Sequence, residues 1–73
     1  MATVIKYGLK DAVHVNICVY NLVGEKIETI VDKNQPAGEY TIVWQAQDLP
    51  GGIYFCKFKV GETIETRKLI IQK

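Results

Sequence analysis

Residues 13–24 read VHVNICVYNLVG, and this stretch decides the fold. Valine or isoleucine occupies every second position from Val13 to Val19, while the intervening face runs from His14 to Tyr20. A period of two is typical of a strand with one buried face. The stretch closes on Gly24, which adopts positive φ at no steric cost, so a hairpin turn is predicted over residues 21–24.

Similar strand patterns occur on both sides of this hairpin. They predict strands at about residues 3–9, 25–31, 53–60 and 63–71, and a further strand with Tyr40, Ile42 and Trp44 on one face. Glycine and proline place a loop at residues 32–38 and a turn at residues 48–52. No segment shows a 3.6-residue period, so no helix longer than one turn is expected. The pattern predicts an all-β protein, a small antiparallel β-sandwich of six to seven short strands.

The phase of the last strand is ambiguous from the sequence. A two-residue turn at Gly61-Glu62 would direct the odd-numbered positions from Thr63 to Leu69 toward the core. A three-residue turn would direct the even-numbered positions from Ile64 to Ile70 there instead. Neither set is apolar throughout, so a bulge or a two-sided environment is an alternative to both.

Length and charge exclude several classes of function. A chain of 73 residues predicts one domain, and a formal net charge of +1 argues against a nucleic-acid binder. The sequence contains no serine, which excludes a serine nucleophile. No apolar run approaches the roughly 20 residues of a membrane span, and no signal peptide is visible. We expect no enzymatic activity, because no nucleophile, base and orienting group can be assembled.

Cysteine and histidine do not indicate a metal or cofactor site. Cys18 falls on the polar face of its strand and Cys56 on an apolar face, so we expect one surface thiol and one core thiol, unbonded to each other. A disulfide formed in an oxidising compartment is the alternative. His14 is expected at the surface, with no acid beside it in the sequence pattern. It lies about 13 Å along the strand from Cys18, too far for a shared metal ion.

Two surfaces have both a structural and a functional interpretation. Tyr40 and Trp44 are expected to pack in the core, and the alternative is a platform that stacks on sugar rings. Basic residues fall on what should be paired strands, where they would protect an edge from aggregation or dock an acidic surface of a partner. These basic residues are Lys57, Lys59, Arg67 and Lys68.

Blocks along almost the whole chain resemble the secretion-system C-terminal sorting domains. The hairpin at residues 15–25 is similar to that of the family, and so is the opening strand at residues 3–9. Residues 36–40 followed by Trp44 resemble the family's Ala-Gly-x-Tyr/His…Trp block. The remaining matches are residues 49–55, with Leu-x-x-Gly-Val/Ile-Tyr, and residues 66–73, with Lys-Leu-x-x-x-Lys. The resemblance extends to the immunoglobulin-like domain of the flagellar hook-capping protein and implies an immunoglobulin-like sandwich.

The resemblance implies a non-catalytic module at the C-terminus of a larger secreted protein, with residues 1–73 as one excised domain. In Gram-negative bacteria with the type IX system, such a domain marks a fused cargo in the periplasm. The outer-membrane translocon reads it, a sortase-like protease removes it, and the cargo reaches the cell surface or the medium. The residues expected to be recognised are Gly24, Gly51, Gly52, Lys68, Leu69, Ile70, Ile71, Gln72 and Lys73.

Three other interpretations stay open from the sequence. A structural spacer or hook-cap-like assembly domain would use the same fold without a sorting role. A carbohydrate-binding module is a third class of function. An open strand edge in so small a sandwich would also allow pairing with a second copy or with a partner.

Overall fold

The computed structural model describes residues 2–46 and 49–72. They form six antiparallel strands and no helix. The predicted second strand has the predicted bounds, and the others lie close to theirs except the third, which is longer. The strands are β1 (Ala2–Leu9), β2 (Val13–Tyr20), β3 (Lys26–Gln35), β4 (Gly38–Gln45), β5 (Gly52–Val60) and β6 (Thr63–Ile71).

The strands form two sheets of unequal size, which confirms the predicted β-sandwich. β1 pairs with β4 in a two-stranded sheet, and the larger sheet has the order β3-β2-β5-β6. β2 and β5 are therefore internal strands, and β3 and β6 are the edges of the larger sheet. Short hairpins connect β2 to β3 and β5 to β6, as expected where consecutive strands are antiparallel neighbours.

The core lies between the two sheets and is built by the period of two. On β2, Val15, Ile17 and Val19 are each 0% exposed, as the alternation predicts. β5 contributes Tyr54, Cys56 and Phe58 to the same layer. The smaller sheet covers them with inward residues of β1 and with Trp44, which is 5% exposed. The prediction of Trp44 as a core residue is confirmed.

The third strand is longer than predicted. Residues 32–35, expected to begin a loop, continue β3 and pair with the first half of β2. Two register shifts interrupt the rest of the β2–β3 pairing, between Ile17 and Cys18 and between Val19 and Tyr20. The polar composition of residues 32–35 indicated a loop, but Gln35 is buried and its Oε1 accepts a hydrogen bond of 2.5 Å from the Tyr7 hydroxyl. A buried polar side chain with a partner is compatible with a strand.

The last strand follows the two-residue turn. Thr63 pairs with Val60 across Gly61 and Glu62, so the odd-numbered positions face inward. Leu69 and Ile71 are buried, whereas Ile64 and Ile70 are 54% and 58% exposed. Gly61 suits this turn because its φ is +59° and a side chain there would press on Val13.

The inward face of β6 is not apolar throughout because the smaller sheet has only two strands. Arg67 takes an inward position on the edge strand, beside β1. Its guanidinium carbon stands 4.3 Å from the centroid of the Phe58 ring, and Nη1 donates to the Lys6 carbonyl at 3.4 Å. A cationic residue thus closes the open side of the sandwich, which explains why neither phase of β6 looked apolar.

Candidate functional site

The predicted recognition residues come together at one end of the larger sheet. Gly52 pairs with Ile71, so the turn at residues 51–52 lies beside the end of the last strand. The hairpin turn at residues 21–24 reaches the same place, because Tyr20 pairs with Phe55. We call this region, formed by residues 21–24, 51–53 and 68–72, the sorting end. Lys73, which was predicted to belong to it, lies outside the described residues.

The turn between β2 and β3 is held by one asparagine. The Asn21 side-chain oxygen accepts from the amides of Val23 at 3.1 Å and Glu25 at 2.9 Å. The Gly24 amide donates to the Asn21 carbonyl at 3.1 Å, and Gly24 has φ +87°, as predicted. Asparagine often organises turns by bonding its own following backbone. The turn is therefore locally fixed even though its tip is exposed.

The tip of this turn carries apolar residues that the sequence analysis did not single out. Leu22 and Val23 are 66% and 78% exposed. Together with Asn21 and residues 51–54 they line an open cleft of about 250 Å³. These two residues could have been noticed in the sequence, because turns favour small and polar residues and large apolar ones there indicate a contact surface.

The opposite wall of the cleft is fixed by a tyrosine. The Tyr54 hydroxyl donates to the Pro50 carbonyl at 2.7 Å, and the Tyr54 ring is buried in the core. Gly51 and Gly52, which follow Pro50, are exposed. The core therefore positions a glycine turn whose backbone is open to solvent beside Leu22 and Val23.

The terminal segment alternates between core and solvent. Leu69 and Ile71 are buried and anchor the strand, while Lys68, Ile70 and Gln72 are exposed. The segment pairs with β5 on one side only, because β6 is an edge of the sheet. An edge strand offers unpaired backbone groups to an incoming strand. Within the predicted set, then, Leu69 and Ile71 hold the fold and the exposed residues are free for contact.

Three of the four basic residues that the sequence grouped share one face, and Arg67 does not. Register places Lys57, Lys59 and Lys68 on the outer face of the larger sheet, and Arg67 on the inner face. The predicted edge protection is wrong for Lys57 and Lys59, because β5 is an internal strand. Lys57 instead lies above the Tyr20 ring, with Nζ 5.9 Å from the centroid.

The prediction of Cys18 as a surface thiol is wrong. Cys18 is on the outer face of β2, as its phase indicated, yet it is only 1% exposed. Its Sγ lies 3.1 Å from the Asn16 side-chain oxygen and 3.6 Å from the Thr29 hydroxyl. A small side chain at the centre of a sheet is covered by its longer neighbours, which a two-face pattern does not anticipate.

The two thiols are free and belong to opposite faces of the sheet. Cys56 lies on the inner face, opposite Val19 in the pairing of β5 with β2. Burial raises the pKa of Cys56 to about 11, and this outweighs the lowering effect of nearby Arg67. The neutral thiol therefore predominates at neutral pH, and Cys56 behaves as a small core residue.

His14 is exposed, as predicted, but it has an acidic neighbour that the sequence did not reveal. Nε2 lies 2.7 Å from the Asp32 carboxylate and Nδ1 lies 2.9 Å from the Asn34 side-chain oxygen. The hydrogen bonds to Asp32 and Asn34 raise the pKa of His14. The bonds from His14 and Asn16 lower the pKa of Asp32. The extension of β3 produces this cluster, at the far end of the sheet from the sorting end.

The aromatic residues of β4 are not arranged as a sugar-stacking platform. Trp44 is buried, and its indole nitrogen donates to Glu28 at 3.0 Å. The Tyr40 ring stacks on Tyr7 with centroids 5.2 Å apart, and its hydroxyl donates to the Pro36 carbonyl. These rings are engaged with the protein, which supports their assignment to the core.

Residues 2–46 and 49–72 lack both a metal-binding group of side chains and a membrane-spanning helix. Within those ranges, no three His, Cys, Asp or Glu side chains are grouped so that they could hold a metal ion. The same residues contain no helix that is long and apolar enough to cross a membrane.

Comparison with known protein families matches nearly the whole chain. A family model described as the secretion system C-terminal sorting domain matches residues 2–72. No curated protein and no solved structure matches the chain.

Proposed function

Because the chain belongs to the secretion-system C-terminal sorting domain family, we propose that it directs a fused cargo through the type IX machinery to the cell surface. The outer-membrane translocon binds the folded domain in the periplasm. A sortase-like protease then separates the cargo from it. The domain contributes recognition, and the proposal assigns no catalytic step to it.

One observation carries this proposal: the predicted recognition segments, far apart in sequence, meet at one end of one sheet. Pairing of Gly52 with Ile71 brings the glycine turn to the terminal strand. The cleft between Leu22 and Ile53 brings in the hairpin turn. A partner that contacts this end reads residues from three parts of the chain, which is possible only when the domain is folded.

The chemistry of the sorting end suits recognition by a protein. Strand addition at an exposed edge provides backbone hydrogen bonds, and alternate side chains provide specificity. Ile70 and Gln72 are the exposed side chains at the end of β6, while buried Leu69 and Ile71 keep the strand in place. Apolar Leu22 and Val23 supply contact area beside it.

The proposal is tested by exchanging these exposed side chains without disturbing the core. Residues 1–73 are fused to a periplasmic reporter in a host that carries the type IX system, and surface display is measured by protease accessibility. The double variant Ile70→Ala with Gln72→Ala is expected to lower display about tenfold or more, as removal of central contacts does in other interfaces.

The control is a matched pair on the other sheet. Val43 and Gln45 are exposed neighbours on the outward face of β4, and Val43→Ala with Gln45→Ala should leave display unchanged. Both variants should melt as the parent domain does. Equal display of the two double variants would contradict recognition through the sorting end. If neither the variants nor the parent domain were displayed, the sorting function would be contradicted and a structural spacer would be favoured.

A further inference from the structure

The outer face of the four-stranded sheet carries a surface that the fold does not use. Its members are known from the register, since residues directly opposite in an antiparallel pair point to the same face. Around Tyr20 they include Lys57 and Phe55 on β5 and Lys68 on β6. Ile53 and Ile70 continue the face toward the sorting end, and Ile64 lies toward the opposite end of the face.

This face is basic because acids are placed elsewhere. Four lysines lie on it: Lys26, Lys57, Lys59 and Lys68. Among the described strand residues of this sheet, Asp32 is the one acid with outward register, and it is bonded to His14. Glu28 and Glu65 have inward register, opposite Val19 and Phe58. Lys33 and Arg67 also have inward register, so the inward charges balance and the excess positive charge of this sheet lies on its outer face.

The same face also carries exposed apolar side chains. Ile53, Ile64 and Ile70 are all more than one-third exposed, and Ile53 and Ile70 are directly opposite each other. Phe55 and Tyr20, half-buried, form a second cross-strand pair beside them. Protein interfaces combine an aromatic and apolar centre with a charged rim. Lys57 and Lys68 flank this centre as such a rim.

We propose that the outer face of the four-stranded sheet, centred on Phe55, Lys57, Lys68 and Ile70, docks an acidic surface of a protein partner. The proposal rests on the sorting function above and adds the chemistry of the surface that the partner must present. That surface carries aspartate or glutamate opposite the lysines and apolar side chains opposite the isoleucines. The domain is held by this face while its terminal strand is read at the edge.

The distribution of residues favours a protein partner over a second copy of this domain and over a membrane. A second copy would oppose lysine to lysine, which disfavours self-association through this face. An anionic membrane attracts each lysine only weakly, and stable anchoring requires a dense basic cluster or inserted apolar residues. Here the isoleucines belong to regular strands, with Ile53 and Ile70 paired at one end of the face beyond the lysines and Ile64 opposite Lys59. A mixed face of this kind is complementary to a folded protein surface.

The first arm of the test measures export of the reporter fusion after charge reversal. Lys57→Glu with Lys68→Glu is expected to lower export at least about tenfold, because like charges then face each other across the contact. The matched control, Lys10→Glu with Lys33→Glu, makes the same change in net charge and should leave export unchanged, because Lys10 lies between β1 and β2 and Lys33 has inward register opposite Val15. Both proteins should keep the thermal melt of the parent. Export of the two variants at equal levels would overturn the proposal.

The second arm identifies the partner by its chemistry and does not depend on successful export. A photo-crosslinking amino acid replaces Thr66, which lies opposite Lys57 on the face, or Thr41 on the other sheet. We expect a protein adduct from position 66 only, mapped to an acidic segment and lost with Lys57→Glu and Lys68→Glu. An adduct with lipid or lipopolysaccharide, equal adducts from both positions, or no adduct would overturn the proposal. If the parent fusion is not exported, the sorting function fails, and this arm still decides the docking surface.

Discussion

The two faces of β2 bury their residues by different means. On the inner face, Val15, Ile17 and Val19 are fully buried beneath the smaller sheet. On the outer face, Cys18 is nearly as buried, but it is covered only by side chains of its own sheet. The inner face therefore depends on shape and packing, while the outer face is a mixed polar surface open to partners. Substitutions on the inner face should affect folding, and those on the outer face should affect recognition.

The largest expected effect distinguishes two isoleucines on opposite faces of the larger sheet. Ile17 is fully buried, and Ile17→Ala should lower the free energy of unfolding by about 2–5 kcal/mol. Total stability for so small a domain is about 5 kcal/mol, so the variant should be partly unfolded at 25 °C. Ile64→Ala, on the outer face, should change stability by less than about 0.5 kcal/mol. Urea denaturation measures both variants. Equal unfolding midpoints would contradict the assignment of these two isoleucines to opposite faces.

A smaller effect is expected for replacing the two thiols by hydroxyls. Cys56→Ser buries a hydroxyl in the apolar core and should cost about 1–3 kcal/mol. Cys18→Ser should cost less than about 0.5 kcal/mol, because its hydroxyl can donate to Asn16 and bond to Thr29 as the thiol does. Chemical denaturation of the two variants measures the difference. A greater loss at Cys18 than at Cys56 would show that the faces are assigned wrongly.

Arg67 provides a test at the open side of the sandwich. Arg67→Ala removes the cation above Phe58 and the bond to the Lys6 carbonyl. We expect a loss of about 1 kcal/mol, since the contact is partly exposed. Lys68→Ala, one residue further on the opposite face, should leave stability unchanged. Thermal melts that ranked the two variants in reverse order would contradict the inward position of Arg67.

The smallest effect concerns pH and the His14 cluster. The pKa of His14 is raised from 6.5, so its contribution to stability is complete below pH 6.5 and is lost as pH rises through the folded value. The pKa of Asp32 is lowered from 3.8, so its contribution is present above pH 3.8 and is lost as pH falls through the folded value. The cluster should stabilise most between these two values.

An NMR titration of the His14 ring checks this expectation. The midpoint should lie above 6.5 in the parent and move back toward it in Asp32→Asn, because the bond to Asp32 is the largest cause of the shift. Asn34→Ala should produce a smaller movement. A parent midpoint below 6.5 would show that the cluster does not form in solution.

Alternation along the chain was sufficient to predict most of the fold. It placed β2 with its bounds, assigned Trp44 to the core and located the turn at Gly24. It failed where a residue's environment depends on neighbours in space. The extension of β3 requires the pairing of Asn34 with His14, and the burial of Cys18 requires the neighbouring strands.

The candidate site was less accessible from the sequence than the fold. The resemblance to a family indicated which segments to consider, but their convergence depends on the pairing of Gly52 with Ile71. The phase of β6 was undecided because Arg67 takes an inward position without an apolar side chain. The basic outer face follows from strand order, which the sequence did not provide.

The central claim is that this domain directs export, and reporter localisation tests it most directly. Residues 1–73 are fused to a periplasmic reporter and expressed in two hosts, one with an intact type IX system and one without its outer-membrane translocon. The account predicts protease-accessible reporter at the surface of the first host and folded reporter retained in the periplasm of the second. Retention in both hosts, or display in both, would contradict it.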